Sequence, residues 1–112
     1  RTDPLVCQEL SINIDSACQK SNTIVFNITN VNTVKVYGFV FRTVGLYPSS
    51  DDYLNSKTIY SSIEAADTKK FELIKENTLS QIQIIPIGRR KTMDIICDEK
   101  SITKEIGDLK QC

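Results

Sequence analysis

Residues 80–97 read SQIQIIPIGRRKTMDIIC. Gln81 and Gln83 alternate with Ile82 and Ile84, and the apolar run continues through Ile85 and Ile87. Gly88-Arg89-Arg90 interrupts it, and Thr92 to Cys97 resumes with Met93 and Ile95. A period of two is the mark of a half-buried strand. Two such runs around a glycine-containing connection read as a β-hairpin. The expectation is two antiparallel strands, Ser80–Ile87 and Thr92–Cys97, turning at Gly88-Arg89-Arg90. The successive cations Arg89, Arg90 and Lys91 then form a charged turn.

The same period recurs on both sides of this hairpin. Thr68 to Ile74 reads as a strand with Phe71 and Leu73 inward, although its Lys, Glu and Leu content also suits a short helix. Thr58 to Ile63 reads as an edge strand. Leu46 to Ser56 holds Pro48, Asp51 and Asp52 and reads as a loop. Val34 to Val44 is rich in β-branched and aromatic residues and reads as a central strand, with Gly38 marking a bend or close approach. Ile24, Phe26 and Ile28 define a further strand, and Leu10, Ile12 and Ile14 another. Asp15 to Asn22 is polar and turn-like. Beyond the hairpin, Ile102, Ile106 and Leu109 fit either a helical face or a last strand, and Gly107 disfavours the helix.

Seven to eight short strands separated by turn signals predict an all-β fold, an immunoglobulin-like antiparallel β-sandwich. The chain of 112 residues makes one domain, residues 1–112. Tryptophan is absent and the cysteine spacing differs from that of true immunoglobulin domains.

Composition narrows the function. Fourteen basic residues face fourteen acidic ones, so no excess positive charge exists to neutralise a nucleic-acid backbone. No apolar run approaches the roughly 20 residues of a membrane-spanning helix. The opening Arg1-Thr2-Asp3-Pro4 reads as a mature end, with any export or anchoring segment already removed. Membrane attachment is therefore expected only through a segment absent from this chain.

The four cysteines, Cys7, Cys18, Cys97 and Cys112, have neither CxxC spacing nor a histidine to complete a mixed metal site. Two structural disulfides outweigh a tetrathiolate site or free thiols, and they imply an oxidising compartment. Sequence leaves three pairings open. If the first strand runs opposite to the last segment, Cys7 meets Cys112 and Cys18 meets Cys97. That nested pairing is the expectation.

Histidine is absent, which removes Ser–His and Cys–His catalysis and the usual general base near neutral pH. Ser101-Ile102-Thr103-Lys104 has S-x-x-K spacing but lacks the accompanying motifs, and reads as a polar turn or edge strand. Asp51 and Asp52, with Asp3, Asp15 or Glu64, lack the spacing of a calcium loop and read as solvent-facing. No enzymatic activity, metal or cofactor is expected. Asn27-Ile28-Thr29 is an N-glycosylation sequon with Asn27 on the polar face of its strand. Tyr47, Tyr53 and Tyr60, with Asp51 and Asp52, make the 46–60 stretch a candidate partner-binding surface.

Cys7, the Ile-x-Ile strand, SACQKSNTIVFNITN, VKVYGFVFRTVG, IQIIPIG and the two last cysteines together resemble the immunoglobulin-like domains of archaeal surface proteins, including the globular parts of pilin-like and archaellin-like subunits. The resemblance runs from Cys7 to Cys112. It implies an extracellular or cell-surface structural or adhesive module, self-associating into a filament or surface assembly. In that family a hydrophobic helix precedes the β-domain, and here it would lie upstream of Arg1. The competing expectation is a secreted module that binds carbohydrate or protein through residues 46–60.

Overall fold

The computed structural model of the chain describes residues 4–46, 52–75 and 78–112. One short helix opens it, α1 (Pro4–Glu9). Nine strands follow among the described residues: β1 (Ile12–Lys20), β2 (Thr23–Asn30), β3 (Gly38–Leu46), β4 (Asp52–Ile59), β5 (Thr68–Ile74), β6 (Thr78–Arg90), β7 (Met93–Ile96), β8 (Ile102–Glu105) and β9 (Lys110–Gln111). They form two facing sheets. Sheet 1 has the order β5-β2-β1-β9 and sheet 2 the order β4-β3-β6-β7, with β8 also pairing β6. Every strand pairing is antiparallel except β1 with β9, which is parallel. The all-β sandwich read from the sequence is what the chain adopts. No helix among the described residues is long and apolar enough to cross a membrane.

Alternation explains how the sheets meet. Ile24, Phe26 and Ile28 of β2 and Phe71 and Leu73 of β5 point to one side and are buried. Phe39 and Phe41 of β3 and Ile82 and Ile84 of β6 face them. All four phenylalanines of the chain enter this core. The Phe39 and Phe71 rings meet edge to face at 5.1 Å, and Phe26 and Phe41 stack at 6.1 Å, so the rings bridge the two sheets. Truncating a buried phenylalanine of this kind costs about 3–5 kcal/mol. Phe71 and Leu73 lie inward on a strand as expected, and the helical alternative for residues 68–74 is not realised.

Among the described residues, one polar side chain is buried with the core. Asn30 is fully enclosed, its Nδ2 donating to the carbonyls of Val34 at 2.8 Å and Ile63 at 3.0 Å. Its Oδ1 accepts the Asn32 N–H. With these partners the burial costs little, and it pins the β2–β3 connection to the segment before β5. Gly38 has the close approach the sequence suggested. A Cβ there would sit 2.6 Å from the Ile59 carbonyl oxygen.

Several local expectations need correction. Residues 15–20, read as a turn, continue β1. Asp15 is an extra residue in the ladder, since Ile14 pairs Ile28 while Ser16 already pairs Asn27. This bulge reverses the inward positions, from Ile12 and Ile14 before it to Ala17 after it, so a simple alternation breaks off there. Leu10 is buried just after α1, outside the strand. An edge strand exists but lies earlier than Thr58–Ile63: β4 (Asp52–Ile59) takes in part of Leu46–Ser56, read as a loop, and Ile63 makes only an isolated bridge to Val36. Nine strands replace the seven to eight expected, the last being the two-residue β9. The β6–β7 hairpin exists, but its turn lies at Lys91-Thr92, with Lys91 at φ 57°. Gly88 stays within β6 because α1 lies against it. A Cβ there would be 2.6 Å from Val6 Cγ1.

Both disulfides form, with a pairing different from the nested one. Cys7 bonds Cys97, and Cys18 bonds Cys112. The physical reason is direction. The final segment runs parallel to β1, with Cys18 beside Lys110 and Gln19 beside Gln111, so the chain end arrives at Cys18. Cys7, on α1, rests against the end of β6, where Cys97 donates its N–H to the Pro86 carbonyl.

Candidate functional site

The predicted partner surface dissolves in part. Tyr47 and Asp51 lie outside the described residues. Asp52 and Tyr53 start β4, pairing Leu46 and Gly45 of β3, so they belong to a sheet edge rather than a free loop. Tyr60 directly follows β4 and is 67% exposed.

A different tyrosine organises the outer face of sheet 2. The Arg89 guanidinium lies 4.3 Å from the centroid of the Tyr37 ring, and the Lys35 ammonium lies 5.0 Å from it. Both cations are held by acids: Arg89 Nε by Asp94 at 2.9 Å and Lys35 by Glu64 at 3.2 Å. Further along, Arg42 pairs Asp98 at 3.4 Å. Val40, Ile85 and Ile87 form a small buried cluster of their own, separate from the main core, and Ile96 opposite Ile87 is 43% exposed. Exposed ion pairs of this type contribute little stability, roughly 0–1 kcal/mol each. They do leave the face charge-balanced. Placing Arg89 in a turn hid this arrangement. In β6 the side chain instead points across the strand to Asp94 on β7.

The outer face of sheet 1 carries the sequon. Asn27 is half-buried at mid-strand and donates from Nδ2 to Ser16 Oγ at 2.7 Å. Thr29 donates to the Asp15 carboxylate and meets the Thr68 hydroxyl at 2.6 Å. Asn13 donates to the other Asp15 oxygen at 2.6 Å. The Thr29 hydrogen bond, followed by that of Asn13, holds the Asp15 carboxyl below its ordinary range, against a slight opposing effect of burial. Asp15 and Glu64 have separate partners, and Asp3 and Asp51 lie outside the described residues. Among the described residues no three Cys, Asp or Glu side chains gather as a metal site.

Ser101 and Lys104 do not cooperate. Ser101 Oγ accepts from Gln83 Nε2 at 3.1 Å. A spacing of three along the β8 segment sends the two side chains to opposite faces.

One feature had no signal in the sequence. A groove of about 590 Å³ runs along the side of the sandwich where the sheets end. One wall is β1 from Ile14 to Cys18, and the other is β8 from Thr103 to Glu105. Asp108 to Gln111 closes one end. Both walls are strand edges: β8 pairs only with β6, and β9 covers β1 at Cys18 and Gln19 alone. The groove depends on where β9 ends, which no local pattern reveals.

No protein-family model matches the chain, and no curated protein matches it.

Proposed function

We propose that the domain is an extracellular structural or adhesive module that works by protein–protein contact within a surface assembly. One observation carries this reading: two disulfides, spanning 90 and 94 residues, tie both end segments to the body of the sandwich. Such cross-links persist in oxidising compartments and are rare in reducing ones. The two-sheet sandwich adds support, because that architecture is common to many cell-surface domains. The charge-balanced face around Tyr37, Lys35 and Arg89 suits a protein partner, since tyrosine and arginine are favoured at such contacts. A glycan on Asn27 would project from the opposite sheet and leave that face clear.

The test is surface labelling of intact cells that make the protein. Antibody should decorate the cell exterior or its filaments, and peptide mapping without reductant should recover both cystine peptides. Labelling confined to the reducing interior would end this reading. Arg89→Ala combined with Lys35→Ala should weaken assembly or adhesion at least tenfold while leaving the fold intact, and unchanged assembly would remove this face from the account.

A further inference from the structure

The two disulfides differ in access. Cys7 and Cys97 are both fully buried, whereas Cys18 is half-buried and Cys112 exposed. Cys18 also lines the lateral groove. What this exposed bridge holds is slight. From Gly107 to Cys112 every residue is exposed except the half-buried Leu109. The segment is secured by its pairing to Cys18 and Gln19, by the Cys112 N–H donating to the Gln19 carbonyl at 2.9 Å, and by the Gln19 side chain. Gln19 Nε2 donates to the carbonyls of Ile106 and Leu109, each at 3.1 Å. Ile106 is the last buried anchor, and a Cβ on Gly107 would meet nothing within 4 Å.

We propose that Cys18–Cys112 is a thiol-sensitive latch whose opening releases residues 107–112 and uncovers the edge of β1 at Cys18 and Gln19, while Cys7–Cys97 keeps the sandwich folded. Exposed disulfides are the labile and regulatory ones, and buried ones resist reduction. The reductant is a dithiol. Its thiolate attacks one sulfur of the bridge and expels the other as a thiolate. The second thiol of the reductant then closes onto the mixed disulfide, leaving a cyclic disulfide. Two electrons and two protons pass to Cys18 and Cys112, which end as free thiols. A two-residue strand with a few hydrogen bonds cannot by itself offset the entropy of ordering six residues. The tail therefore leaves once the covalent tie is cut. This proposal rests on the different exposure of the two bridges and stands apart from the surface-module reading.

The experiment treats the full chain with limiting dithiothreitol, alkylates at intervals and maps the peptides, with hydrogen exchange followed in parallel. Alkylation of Cys18 and Cys112 should precede that of Cys7 and Cys97 by at least about tenfold in time. Exchange should rise in residues 16–20 and 107–112 and stay unchanged in β2 and β6. The double variant Cys18→Ser/Cys112→Ser should show the same exchange pattern without reductant. Equal alkylation rates at the two bridges would overturn the proposal. So would unchanged exchange in 107–112 after the bridge opens, or a loss of protection throughout the sandwich.

Discussion

Two bridges of nearly equal span, 90 and 94 residues, do different work in this molecule. Cys7–Cys97 sits inside the core, where its sulfurs pack among Leu10 and the isoleucines and fasten α1 to the end of β7. Cys18–Cys112 sits at the rim and holds a strand of two residues to an edge. Loop length alone would rank them as equals. Each also closes the same ring when the other is present, with eleven residue steps from Cys7 to Cys18 and fifteen from Cys97 to Cys112. Removing either one from the oxidised protein therefore returns a similar entropy to the unfolded chain, about 3.5 kcal/mol for a ring of that size. Any difference in their worth must come from packing in the folded state.

That contrast can be broken most strongly at the core. Cys7→Ala with Cys97→Ala should lose the ring term and also the packing of two buried sulfurs, about 5 kcal/mol in all by urea titration. Cys18→Ser with Cys112→Ser should lose about 3.5 kcal/mol or less, with little change in the near-ultraviolet signal of the core. A rim variant as costly as the core variant would show that the tail is part of the cooperative unit. Gly88→Ala probes α1 without touching sulfur. The added Cβ would press on Val6 Cγ1 at 2.6 Å and Leu10 Cδ1 at 3.2 Å, so a loss of about 1–3 kcal/mol is expected. Reduced stability with an intact Cys7–Cys97 peptide would locate the damage in packing. The smallest effect lies on β1 itself. The native Asp15 carboxyl titrates below its ordinary range, so its stabilisation is present above the unfolded pKa of about 3.9 and fades as pH falls through the native value. Thr29→Val should bring the Asp15 titration, followed by NMR, back toward the ordinary range and flatten stability across that acid limb.

Much of the sandwich was readable because strongly alternating segments leave little choice. Ile24-Val25-Phe26-Asn27-Ile28 and Lys70-Phe71-Glu72-Leu73 fix their own inward faces, and the structure buries those residues. Edges were harder. β4 offers only β3 as a partner, and its Asn55, Ser56 and Lys57 are exposed, so it shows the composition of a loop. Such polar edges resist unwanted strand pairing, and that same property hides them. The bulge at Asp15 disguised half of β1 for a different reason, because one inserted residue exchanges inside for outside. The disulfide pairing turned on a non-local fact, the parallel course of β9, which spacing cannot encode. Of the expected interaction residues only Tyr60 has a described and exposed side chain. The neighbouring cluster of Tyr37, Lys35 and Arg89 depended on register across three separate segments.

The bridges also decide how the domain meets a pulling force. Tension entering near Cys7 and leaving at Cys112 can travel along β1's lead-in to Cys18 and cross the sulfur bond, or cross at Cys97 and follow the tail. The taut route is the shorter one, eleven residue steps, which extends to at most about 40 Å. Unbridged, the same chain would pay out to about 370 Å. The strands from β2 to β6 lie outside the load path, so they bear no tension while both bonds hold. A string of such domains would behave as a nearly inextensible cord, and cutting the rim bond alone would lengthen each link by only a few residues.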